Sequence, residues 1–134
     1  MIDHNNKKII LTGTPGSGKT SIINLLREKG YDVIQEASTF IIKKEQKLGT
    51  QEPWKNSDFI DKIISLQKRR ERKANTLLNH VQFFDRSPLC TYALATYLRF
   101  SPSTLLCNEI ICLSIYIAII YSKRIIRLIK KASF

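Results

Sequence analysis

Residues 13 to 20 read Gly13-Thr14-Pro15-Gly16-Ser17-Gly18-Lys19-Thr20, the G-x-x-x-x-G-K-[ST] spacing of a phosphate-binding loop. Each position has a task on a nucleoside triphosphate. The glycines tolerate positive φ and let the backbone approach a ligand closely. Successive N–H groups then point into one concavity that suits an anionic β-phosphate. Lys19 supplies a point charge between the β- and γ-phosphates, and the Thr20 hydroxyl a ligand for Mg²⁺. A helix starting near Gly18 adds the positive end of its dipole. The ligand implied is ATP or GTP with Mg²⁺. The competing explanation is a glycine-rich turn that binds nothing.

Two acids follow at strand ends. Phe83-Phe84-Asp85 is an apolar run closing on a carboxylate. Beside a phosphate loop, such an Asp can hold the Mg²⁺ shell or orient a nucleophile; alone it can be a helix cap. Arg86 comes next, and its guanidinium could grip phosphate or substrate oxygens or pair with Glu36 or Asp85. Glu36 could accept a proton from a substrate hydroxyl or serve as a charge at a helix start. Trp54 lines a pocket or covers the core. The charged run Lys68 to Lys73 closes over phosphates as a lid, lies along an anionic surface, or is a solvated helix face.

These residues need a scaffold, and the chain predicts one. Residues 8–12 form an apolar run suited to a buried parallel strand. A helix over 21–29 follows, with Gly30 as its stop. Residues 31–35 predict a second strand, 39–47 a helix ended by Gly49, and 59–79 a long helix that Asp58 could cap. Residues 81–85 predict a third strand, with a helix through about Arg99. Strands alternating with helices predict a parallel α/β sheet, in which ligands bind beyond the carboxyl ends of the strands. The loop at 13–20, Glu36 and Asp85 each fall at such an end.

Composition narrows the class. A chain of 134 residues suits one domain with a single core. Net charge is +11, and residues 110–134 hold five of the 22 basic side chains and none of the 11 acidic ones. A basic balance suits polyphosphate substrates, nucleic acid or an anionic membrane. Of these, the nucleoside triphosphate is the expected partner, and nucleic acid is not expected. Cys90, Cys107 and Cys112 have neither a C-x-x-C pair nor metal-ligand spacing, which argues against a disulfide framework or a zinc site and for a cytoplasmic setting. His4 and His80 have no visible partner, and the N-terminus has no apolar signal region.

Residues 10–20, Val33-Ile34-Gln35-Glu36-Ala37, Pro53-Trp54 and Phe83-Phe84-Asp85-Arg86 together resemble one group of P-loop proteins. It is the AAA-domain-like ATPase/kinase group that includes the kinase domain of the bifunctional nicotinamide-nucleotide regulator and the TRP-translocation-defect protein. The resemblance covers roughly residues 8–107. It implies a P-loop nucleoside triphosphate hydrolase fold, three layers α/β/α around a parallel sheet. It further implies that residues 13–20 bind ATP or GTP, that Thr20 and Asp85 serve Mg²⁺, and that Glu36 with Arg86 faces a small-molecule phosphoryl acceptor. The layout also looks like that of deoxynucleoside kinases, with an acid after strand two and an acid-Arg pair after strand three. Catalysis would then rest on Lys19, Glu36, Asp85 and Arg86.

The resemblance stops short of the last stretch. Residues 1–109 are expected to form the P-loop kinase-like domain, and 110–134 an Ile-rich basic tail. Nine of those 25 residues are Ile, with no Gly, Pro, Asp or Glu. Three alternatives stay open: a fourth strand and a basic amphipathic helix, a membrane-associated tail, or low-complexity translation after a lost frame near residue 109. The apolar run from 110 to 121 is shorter than the roughly 20 residues a spanning helix needs, although its basic flank suits an interface. Composition favours the third, which leaves the sheet incomplete at its C-terminal edge and does not favour membrane contact. Three functions remain: a Mg²⁺-dependent small-molecule kinase or NTPase; a catalytically incomplete nucleotide-binding or regulatory module without lid and last strand; and, as the weaker third, a basic protein whose nucleotide state controls attachment to a membrane or nucleic acid.

Overall fold

In a computed structural model, described for residues 7–13, 17–77, 81–111 and 116–117, the chain forms two compact units. The first holds Met1–Gln35, Ala74–Asp85 and Ile115–Phe134, and the second holds Glu36–Lys73 and Arg86–Ser114.

The first unit is the sheet. Its strands are β1 (Lys7–Leu11), β2 (Asp32–Ile34), β3 (Val81–Asp85) and β4 (Tyr116–Ile117), in the order β2-β3-β1-β4. All neighbouring pairs are parallel, with Leu11 opposite Asp85 and Ile34 opposite Phe84. Parallel pairing needs a crossover, and helix α1 (Lys19–Glu28) follows β1. Ile22, Ile23 and Leu26 of α1 are buried with Leu11, and Ile9, Tyr31, Val33 and Phe83 pack against them. Tyr31 meets Phe83 edge to face, with ring centroids 5.3 Å apart. Gln82 is fully buried, and its Nε2 donates to the Ala74 carbonyl at 2.6 Å. The short strand β4 lies inside the Ile-rich run, and the rest of 112–134 lies outside the described residues.

The second unit is helical: α2 (Ser38–Lys47), a 3-10 turn (Pro53–Lys55), α3 (Phe59–Ala74), α4 (Pro88–Tyr97) and α5 (Thr104–Ile111). Phe59, Ile60, Ile63 and Ile64 recur at the three- and four-residue spacing of one helix face. They are buried with Ala37, Ile41, Leu66, Ala95 and Leu106. Trp54 packs against this core, so it covers apolar surface. Lys62 joins α2 to α3 by reaching Glu45 at 3.0 Å and Asp58 at 3.1 Å. Those two carboxylates hold its ammonium pKa above the ordinary lysine value.

Three helices end the same way. After α1, Gly30 N–H donates to Arg27 O and Tyr31 N–H to Leu26 O, each at 3.0 Å. After α2, Gly49 donates to Gln46 O at 3.1 Å and Thr50 to Glu45 O at 3.0 Å. This is the Schellman closure, whose first residue past the cap takes positive φ, here +84° at Gly30 and +103° at Gly49. After α4, Arg99 donates to Thr96 O and Phe100 to Ala95 O, with φ 61° at Arg99. The same closure is built there on a residue that does not favour it.

Two elements differ from the sequence expectation. The helix expected to run to residue 79 ends at Ala74, where Leu77 N–H turns back to Ala74 O at 3.0 Å. Helix α5 was not anticipated, although Ser103 carries its signal: the Oγ accepts from Leu106 N–H at 3.1 Å, as a cap does.

Gly30 and Arg99 give a paired test of the closures. A Cβ at Gly30 would meet nothing within 4 Å, so Gly30→Ala isolates the backbone cost and is expected to destabilise by about 1 kcal/mol. Arg99→Gly should stabilise by up to about 1 kcal/mol for the same reason. Urea unfolding of the two variants, read by circular dichroism, measures both signs.

Candidate functional site

In the first unit, β1 delivers the chain to Gly13, and the segment 14–16 lies outside the described residues. The chain is described again at Ser17. Gly18 takes φ 88° as the N-cap of α1, a left-handed conformation that glycine enters without penalty. Lys19 and Thr20 follow in the first helical turn. Successive strand residues face opposite sides, so Asp85 shares a face with Phe83, the side packed on α1. Its Oδ1 accepts the Lys19 ammonium, and both side chains are only 15% exposed. The Ser17 Oγ is buried and has no hydrogen-bond partner among the described residues. Loop lysine and strand-end acid are therefore brought together by the adjacency of β1 and β3.

In the second unit, Glu36 precedes α2 and is held from several sides. Its carboxylate accepts from the Ser38 hydroxyl, from Thr39 Oγ1 at 3.3 Å and from Arg86 Nε at 3.3 Å. Its carbonyl accepts from Arg70 Nη1 at 2.8 Å. The Arg70 guanidinium also lies over the Phe40 ring, 5.2 Å from its centroid, and burial lowers its pKa. Glu36 and Arg86 thus meet as an ion pair, one of the two roles open to Arg86 from sequence. Arg86 takes φ 73°, uncommon outside glycine.

These groups border a cavity of about 220 Å³. Its polar lining is Glu36, Ser38, Gln67, Arg86 and Thr91, and Ile63 and Leu94 are apolar walls. Thr91 is 3% exposed, and its Oγ1 lies 3.2 Å from Gln67 Oε1. Ser38, Gln67, Arg70 and Thr91 were not singled out from sequence. The hydroxyl pair two and three residues after Glu36 was a local signal for Ser38; a Gln and a Thr inside helices gave none. The run Lys68 to Lys73 lies on α3, where Arg70 holds Glu36 and Lys68 pairs with Glu109 at 2.9 Å. It is more than a solvated face.

Among the described residues, no helix is long and apolar enough to cross a membrane. No curated protein matches the chain. Among solved structures, the crystal structure of NadR protein in complex with NR is similar in fold, with a TM-score of 0.66 and 19% sequence identity. The match covers 87% of this chain and 33% of that one, so the chain spans about a third of that protein's length. Residues 8–123 match the family model described as AAA domain, and with its phosphate-binding loop on a parallel α/β sheet the chain belongs to that family of nucleotide-binding P-loop proteins.

Proposed function

We propose that the chain is a Mg²⁺-dependent kinase that moves the γ-phosphate of ATP or GTP to a hydroxyl of a small molecule. The observation that carries this is the Glu36 carboxylate, fixed by three donors at the wall of a cavity. Hydrolysis of a nucleotide needs no second organic pocket. Transfer to an alcohol needs one, with a base oriented inside it.

Lys19 and residues 13–20 hold the phosphates, with Lys19 exchanging Asp85 for the β- and γ-phosphate oxygens. The Thr20 hydroxyl and the Asp85 carboxylate are the hard oxygen donors that Mg²⁺ takes beside phosphate oxygens, and the ion would neutralise charge on them. Glu36 accepts the proton of the attacking hydroxyl. The new bond joins that oxygen to the γ-phosphorus, the bond from the γ-phosphorus to the bridging oxygen breaks, and the nucleoside diphosphate leaves. Arg86 orients Glu36 and offers positive charge to the acceptor. Arg70 fixes the backbone on which Glu36 stands. Cys90 and Cys107, neither in a disulfide, suit a cytoplasmic setting.

The test is a phosphoryl-transfer screen with ATP and GTP, with and without Mg²⁺, against nucleosides, sugars and NR, the ligand named with the similar structure. Nucleotide binding without transfer to any acceptor would overturn the kinase assignment and leave a nucleotide-binding module. By calorimetry, Lys19→Ala should weaken nucleotide binding roughly 10- to 100-fold, the worth of a charged hydrogen bond. Asp85→Ala should retain nucleotide binding and lose Mg²⁺-dependent turnover. Glu36→Gln should lower kcat by about 10²- to 10⁴-fold, as removal of a general base does. Arg70→Lys keeps the charge but loses the planar fork, and should lower kcat by about tenfold with nucleotide affinity unchanged.

A further inference from the structure

We propose that the outer face of α2 docks the protein on an anionic membrane surface, with Phe40 and Leu48 entering the lipid interface and Lys43, Lys44 and Lys47 meeting the headgroup phosphates. None of these five side chains lines the cavity beside Glu36.

At 3.6 residues per turn, the five positions fall within about 140° of one another around the helix. All five are exposed. Phe40 is 49% exposed and Leu48 73%, although both are large apolar side chains. The rest of α2 has a different character. Ile41 is buried in the core, and Glu45, the one acid of the helix, reaches Lys62 on α3 at 3.0 Å. Among the described residues, the ammonium groups of Lys43, Lys44 and Lys47 have no hydrogen bond or ion pair.

Leu48 is presented on a fixed backbone. Gly49 and Thr50 close the helix beyond it with N–H donors at 3.1 and 3.0 Å, and Gln46 Nε2 holds the Gln51 carbonyl at 3.1 Å. Its side chain takes no part in that closure and packs in no core cluster. Phe40 and Leu48 stand eight residues apart, about 12 Å along the axis, with the lysines between them.

The charge of this face lacks a counterpart. In the neighbouring groove between α2 and α3, Lys44, Lys62 and Arg69 are matched by Glu45, Asp58 and Asp61; on the outer face the lysines are matched by nothing. An anionic leaflet supplies the opposite charge. Lysine stems lie along its apolar margin while their heads stay in water, and Phe and Leu enter beside them. Protein interfaces are depleted of lysine. Nucleic acid is gripped best by arginine forks, Leu48 offers it nothing, and one face of the Phe40 ring is covered by Arg70. The net charge of +11 draws the whole chain the same way. Ten residues are too few to span a bilayer, so α2 would lie on the surface.

Vesicle co-sedimentation of the full chain tests this, with phosphatidylcholine alone and with equimolar phosphatidylcholine and phosphatidylserine. The protein should sediment with the mixed vesicles, ignore the neutral ones and be released as salt is raised. Each lysine at an anionic surface is worth about fivefold, so Lys43→Gln, Lys44→Gln and Lys47→Gln combined should weaken binding about 100-fold. Arginine at the same three positions keeps the charge and should keep binding within about threefold. Leu48→Gln leaves the charge in place and should weaken binding about tenfold with the salt dependence unchanged; a purely electrostatic patch would not respond to it. These side chains lie in solvent, so melting temperature and nucleotide affinity should not move. Wild-type protein that ignores the mixed vesicles overturns the docking face. So does binding that survives both the lysine and the leucine substitutions, which would assign it to another part of the chain such as 110–134. A single-stranded oligonucleotide bound in preference to the vesicles, or self-association abolished by Leu48→Gln in protein that ignores them, would give the face to nucleic acid or to a second copy and overturn the lipid assignment.

Discussion

Everything on the phosphate side depends on β3 lying directly against β1. The strand order β2-β3-β1-β4 sets Asp85 opposite Leu11, the last residue of β1. Side chains alternate across a strand, so a slip of one residue would carry Asp85 to the opposite face. In the observed register it shares the α1 face with Phe83 and receives Lys19 from the first helical turn. At 15% exposure neither charge keeps its full hydration, and an unpaired charge in that setting is costly. The pair therefore holds the loop lysine at the mouth of α1. In the proposed function, incoming phosphates would replace Asp85 on Lys19 and leave its carboxylate for a cation.

The second unit handles a carboxylate in the opposite manner. Glu36 has no lysine to release; Ser38, Thr39 and Arg86 converge on its two oxygens and Arg70 grips its carbonyl. In the proposed function Glu36 is a base that would meet a hydroxyl in line, for which one orientation counts for more than mobility. The two arginines at positive φ sort by the same logic. Arg99 at 61° completes a helix closure that glycine serves twice elsewhere in the chain. Arg86 at 73° ends no helix; its strained backbone follows Asp85 directly and directs its side chain to Glu36. Backbone strain retained without a structural duty is a mark of a functional position.

What could be read from sequence was what local spacing encodes. The loop at 13–20, the acid closing β3 and the glycine stops at Gly30 and Gly49 are short-range patterns with a mechanical cause. The expected helix end near Arg99 agrees with α4 although no glycine announces it, whereas the apolar rhythm of Leu77 and Leu78 carries the expected α3 past Ala74. Helix α5 was legible in Ser103 but masked by the weak surrounding pattern. Gln67 and Thr91 stand 24 residues apart on different helices. Nothing in either segment marks them, because their meaning comes from the packing of α3 on α4. Arg70 was hidden differently: in a run of charges it looks like its neighbours, and only its tertiary contact with the Glu36 carbonyl sets it apart.

That packing gives α3 a controlling place. Ile63, Gln67 and Arg70 are spaced by four and three residues, and so share one face of the helix. They form in turn a wall of the cavity, its amide and the clamp on Glu36. The neighbouring face carries Ile60 and Ile64, buried in the apolar core. A slide of α3 by one residue would be about 1.5 Å along its axis. The hydrogen bonds at 2.8 Å to Glu36 and 3.2 Å from Thr91 leave little room before the limit near 3.5 Å. The clamp on Glu36 and the contact between α3 and α4 would fail together under such a shift. Ile60 and Ile64, which fix the register of α3 from inside the core, therefore hold the polar wall of the cavity in place as firmly as its own hydrogen bonds do.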